Sequence, residues 1–133
     1  LRAIELLHAD AREQGAELRA VFAETEDPQR VAAATGAMSP HERLRALGRL
    51  GARRLDLPYV QPRLAGADAP CRHLLLLAFY PGAAQTATID GAVVRAFLSE
   101  FYRALGVIQP DTDADFRHMV ANLADAVPLS TLA

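Results

Sequence analysis

The chain has no Trp and no Lys, so all 14 of its basic residues are Arg. It has one cysteine, Cys71, which excludes an intrachain disulfide and a zinc site built from several thiolates. A lone thiol fits a reducing cytoplasm. No apolar run approaches the ~20 residues that a membrane-spanning helix needs, and the longest, Leu74 to Tyr80, is core-sized. β-branched residues are sparse and never alternate over a strand's length, so the usual sign of a half-buried strand is missing. A basic excess is missing too. The net charge of −2 argues against a general nucleic-acid binder, although a local basic face is compatible with it. The chain begins at Leu1 without a Met, which leaves room for an upstream segment, a removed targeting peptide included.

What is present favours helix. The 133 residues suffice for one domain with its own core, and the hydrophobic fraction of 51% owes much to Ala. Ala, Leu, Arg and Glu are all good helix formers. The sequence therefore predicts an all-α fold, a compact bundle of five or six helices in a single domain over residues 1–133.

The clearest stretch runs from Asp90 to Leu123. Asp90 suits a helix cap, and Val94, Phe97, Leu98, Phe101 and Leu105 then recur at three and four to form one apolar stripe. Gly106 suits the position after the helix, where positive φ is often required. An acidic turn (Asp111, Asp113, Asp115) leads into a second helix with the stripe Phe116, Met119, Val120, Leu123 and Val127, closed by Pro128.

Upstream, residues 1–24 read as one helix with Ile4, Leu7, Ala11, Gln14, Leu18 and Val21 or Phe22 at helical spacing. Gly15 inside it marks either a close helix crossing or a break. Asp27-Pro28 starts a short helix that Thr35-Gly36 ends. Ser39-Pro40-His41-Glu42 has the form of a reciprocal capping box, after which Leu44, Leu47 and Leu50 face inward. Residues 56–70, with Pro58, Pro62, Gly66 and Pro70, form an irregular connection long enough to be a functional segment or a crossover. Pro70 then opens a helix apolar on nearly all sides through Phe79, which marks it as central and buried.

Catalytic chemistry is not visible in these residues. Asp111, Asp113 and Asp115 alternate as in a calcium loop, but Phe116 stands where that loop needs Gly and Asn122 where it needs a bidentate Glu. Helix capping explains the aspartates better. The four histidines fall at no metal-binding spacing. Cys71 and His73, two apart on the expected helix, would lie on different faces and so form no nucleophile–base pair. The Arg45, Arg49 and Arg53 face, with Arg54 beside it, suits an acidic partner or phosphate, but reads first as a solvated helix face. No metal, no cofactor and no enzyme activity are expected.

The motifs Leu74-Leu75-Leu76-Leu77-Ala78-Phe79-Tyr80, Phe101-Tyr102-Arg103-Ala104-Leu105-Gly106-Val107 and Asp113-Ala114-Asp115-Phe116-Arg117-His118-Met119 carry a partial likeness. Over about residues 71–127 the chain resembles the TorD/NarJ-type chaperones, all-helical cytoplasmic proteins that assist maturation of molybdenum-containing redox enzymes. The Asp-His pair of that family is not present, since Phe116 follows Asp115. The resemblance implies a cytoplasmic chaperone that binds the twin-arginine signal peptide or the apo form of a redox enzyme. On that reading Asp111, Asp113 and Asp115 supply negative charge, Tyr102 and Phe116 an apolar floor, and His118 a polar neighbour to the peptide. The competing readings are a small-molecule-binding or dimerisation domain of a helical regulator, able to form a homodimer, and a non-catalytic subunit-interaction protein. Neither nucleic acid nor membrane insertion is expected.

Overall fold

Leu74–Phe79, expected as a buried helix, is an interior strand of a five-stranded sheet. The computed structural model describes residues 2–15, 19–32, 38–79 and 87–132. In chain order its elements are α1 (Arg2–Glu13), β1 (Val21–Glu26), α2 (Pro40–Arg49), β2 (Arg53–Leu55), β3 (Leu74–Phe79), β4 (Thr88–Asp90), α3 (Gly91–Ala104), α4 (Ala114–Ala121) and β5 (Ala126–Thr131). The strands lie in the order β1-β3-β2-β5-β4, every adjacent pair antiparallel. The expected all-α helical bundle is thus corrected to an α/β fold.

The error has a physical source. A strand covered on both faces carries no polar alternation, so its six apolar residues read like a buried helix. Leu76 and Ala78 face a core completed by Val94, Leu98 and Tyr102 of α3 and by Phe116 and Met119 of α4. Leu75, Leu77 and Phe79 point the other way, against Leu44 of α2. Helical layers on both sides of the sheet leave β3 without a wet face, and tertiary burial overrides the helix propensity of Leu and Ala.

The same correction applies at both ends. The helix expected over 1–24 stops at Glu13, and Val21–Glu26 is strand β1. Gly15 has φ +73° with nothing within 4 Å of where a Cβ would sit, so it breaks the helix and marks no crossing. No described residue of α1 joins either core cluster, and Leu6 and Leu7 are half exposed. After β1, Asp27 makes a single turn: its carbonyl accepts from the Arg30 and Val31 N–H groups and its carboxylate from the Gln29 N–H. Thr35 and Gly36 lie outside the described residues.

Pro128 does not end a helix but sits within β5. Its carbonyl accepts the Asp56 N–H at 3.0 Å, and with no N–H it returns no bond, so the β2–β5 ladder stops at Leu55 paired with Leu129.

The helix signals from 39 onward are realised where caps specify them. Ser39 Oγ accepts from the Glu42 N–H and Glu42 returns a bond to the Ser39 N–H, completing the capping box of α2. These bonds hold the Glu42 carboxyl below its ordinary range. Asp90 caps α3 through the Ala92 N–H, Asp113 caps α4 through the Phe116 N–H, and Gly106 follows α3 with φ +100°. The irregular segment 56–70 is tied down: Gln61 and Cys71 exchange two backbone bonds of 3.0 Å, and Tyr59 and Val60 are buried in the core.

Candidate functional site

The six residues expected to form a peptide site divide into a buried pair, Tyr102 and Phe116, and four polar positions on and before α4. Tyr102 and Phe116 are buried in the core, their rings 5.4 Å apart, and neither offers an open apolar floor. The Tyr102 hydroxyl donates to the Val60 carbonyl. Asp113 is spent on the α4 cap. Asp111 is exposed on the 3-10 turn Pro110–Thr112, 3.8 Å from Arg95. Asp115 holds Arg72 through two bonds of 3.0 and 3.2 Å. The exposed His118 faces a cleft that it shares with Arg72. The three carboxylates of this acidic corner thus each serve a different local partner.

The structure assembles a different place. β1 is an edge strand, paired on one side with β3 and with no strand partner on the other among the described residues. Asp27 donates its N–H to His73 on the β3 side. Backbone alternation then turns the N–H and C=O groups of Phe22, Glu24 and Glu26 outward. Beside this edge a groove of about 690 Å³ opens between the start of β1 and the outer side of α3. Its floor is aromatic. Phe22 stacks on Phe97 at 4.2 Å and Phe97 on Phe101 at 5.2 Å, with interplanar angles of 18° and 17°. Val93 and Ala96 extend the wall, and Arg19 and Glu100 supply charge at its margin.

Phe97 and Phe101 stand out in the sequence by their four-residue spacing on one apolar helix stripe. Phe22 was hidden because β1 was read as the tail of a helix. All three rings remain partly exposed.

Further along the same face of β1, Glu24 is fixed by two donors. The Tyr59 hydroxyl donates at 2.8 Å and the Gln61 amide at 2.9 and 3.1 Å. Burial first, then the bond and charge of Glu24, push the Tyr59 phenol well above its ordinary range. The network anchors segment 56–70 to the edge strand and leaves Tyr59 a neutral donor. Tyr59 and Gln61, two apart in extended backbone, could have been read as a pair sharing one side.

Cys71 and His73 also share a side, because they occupy extended backbone and not a helix. The sulfur lies 3.5 and 3.4 Å from Nδ1 and Nε2. A sulfur equidistant from both ring nitrogens lies on neither N–H axis, so this is a contact and not a directed nucleophile–base bond. Among the described residues no group of three or more His, Cys, Asp or Glu side chains could hold a metal ion, and no helix is long and apolar enough to cross a membrane.

Comparison of the chain with protein-family models, with curated proteins and with solved structures yields no match.

Proposed function

We propose that this chain is a non-catalytic protein-binding module that takes an extended segment of a partner along β1. The observation that carries the reading is the outer edge of β1, without a strand partner among the described residues, lying beside the Phe22–Phe97–Phe101 stack. An added strand satisfies the outward N–H and C=O groups of the edge, and its alternate side chains enter the groove. Each apolar side chain buried there contributes about 1.5–3 kcal/mol before the cost of ordering the segment. Glu24 shares the Phe22 face of β1, so pairing with a second β1 brings two such carboxylates onto one face. That repulsion favours a partner strand bearing neutral or basic residues over a second copy.

The test is selection from a displayed library of random peptides, followed by binding of the selected sequences to wild type and to Ala96→Glu. Ala96 is exposed on the groove wall, so the substitution fills the groove without opening the core. The expected result is selection of peptides with apolar residues at alternate positions, about tenfold weaker binding to the variant, and slowed amide exchange at Phe22, Glu24 and Glu26. Selected peptides that bind both proteins equally, or a library that yields none, overturn the reading.

A further inference from the structure

A second recess opens at the far end of β1, where the sheet ends between segment 56–60, the start of β3 and α4. It measures about 240 Å³ and gathers basic side chains from four separate parts of the chain: Arg30 after β1, Arg54 on β2, Arg72 before β3 and His118 on α4. Only Asp27 among the residues lining it is acidic. With Asp115 included, three guanidiniums stand against two carboxylates, a local positive excess in a chain whose net charge is −2.

The acids position two of the arginines. Arg72 spends one N–H of each terminal nitrogen on Asp115, and three of its five donors stay available. Arg30 lies 3.8 Å from Asp27 and donates to the Arg72 carbonyl, which links the two guanidinium-bearing segments. Arg54 differs from both: it forms no ion pair among the described residues. His118 is exposed, and its ring makes no hydrogen bond among the described residues. Leu57 and Leu74 add an apolar wall.

We propose that this recess binds a small phosphomonoester. Its phosphate is held by Arg54 and Arg72 with His118 beside them, and its short organic body lies on Leu57 and Leu74. A dianion with three terminal oxygens uses several forked donors at once, whereas one carboxylate satisfies a single guanidinium. The volume falls below the ~300 Å³ at which pockets for drug-sized ligands begin, which suits a phosphate with a body of a few carbons. The site stands apart from the groove at the other end of β1, and neither proposal depends on the other.

The experiment follows the arginine Nε–Hε signals of the ¹⁵N-labelled chain at low ionic strength. Glycerol 3-phosphate, inorganic phosphate and acetate are titrated separately. Saturable shifts of Arg54 and Arg72 with glycerol 3-phosphate are expected, weaker ones with inorganic phosphate and none that saturate with acetate. Arg54→Gln is expected to weaken glycerol 3-phosphate binding about tenfold or more. Arg49→Gln, on the exposed end of α2, leaves it unchanged. Acetate binding as tightly as the phosphates, Arg54→Gln binding like wild type, or shifts spread evenly over all arginines overturns the proposal.

Discussion

The hydroxyl of Tyr102 donates to the backbone carbonyl of Val60, joining the last turn of α3 to the segment that leaves β2. Both residues are buried, and on the same segment the Val60 N–H meets the Met119 sulfur of α4 at 3.4 Å. The backbone of one residue is thus held by two helices. Tyr102→Phe keeps the ring but leaves the Val60 carbonyl without its donor, and is expected to cost about 1–3 kcal/mol. Urea unfolding of the variant should show a lower midpoint at unchanged slope. An unchanged midpoint would mean the bond contributes nothing net.

Gly91 opens α3 against the chain that leaves α4. Its N–H donates to the Asp125 carbonyl at 2.8 Å, and a Cβ added there would stand 2.2 Å from the Ala124 carbonyl oxygen. Backbone cannot rotate away as a side-chain tip can. Gly91→Ala is expected to destabilise by about 1–3 kcal/mol or more. Gly48→Ala, whose added carbon would meet Leu132 at 3.0 Å, should cost less. Thermal melts of the two variants check the order.

Two phenols make the fold sensitive to alkali. Burial is the main cause that raises both Tyr59 and Tyr102, with Glu24 adding for the first and Asp113 and Asp115 for the second. In the unfolded chain they ionise near the ordinary value of 10.0. The folded state therefore holds more protons above that pH, and stability that is complete below it declines as pH rises. Phenolate absorbance and far-UV circular dichroism, followed together, should show these two groups ionising only as the chain unfolds. Tyr59→Phe should shift the onset to higher pH. Full ionisation of all three tyrosines with the dichroism intact would contradict this.

At the acid end the Ser39–Glu42 capping box acts in the opposite sense. The folded-state carboxyl of Glu42 is held below 4.5, so its contribution is present above that value and is lost as pH falls through the folded pKa. Ser39→Ala is expected to cost about 0.5–2 kcal/mol at neutral pH. It should cost less once Glu42 is protonated, when the reciprocal bond has already weakened. Urea midpoints of wild type and variant at the two pH values test the narrowing.

Local chemistry was readable along the chain. Asp90, Ser39 and Asp113 start α3, α2 and α4 because a cap acts within a few residues and needs no distant partner. The stripe Val94, Phe97, Leu98 and Phe101 was likewise visible, since helical spacing survives whatever the helix packs on. The strands were not. Val21–Glu26 lacks a clean alternation, because Phe22 faces a groove, Glu24 a hydrogen-bond network and Thr25 the interior. Leu74–Phe79 lacks one because both of its faces are covered.

The places proposed for binding depend wholly on pairings distant in sequence. Phe22 reaches Phe97 across 75 positions, and Arg72 reaches Asp115 across 43. No spacing rule spans such separations, because the order β1-β3-β2-β5-β4 is decided by which apolar faces bury one another, not by any short run of residues. The sequence by itself determined the composition, the caps, the α3 and α4 stripes and the small net charge. Tertiary structure alone decided that Leu74–Phe79 is a strand, that β1 is an edge strand among the described residues, and that four basic side chains share one recess. Helix boundaries are set by short-range hydrogen bonds, whereas a sheet edge or a cleft exists only after distant segments have met.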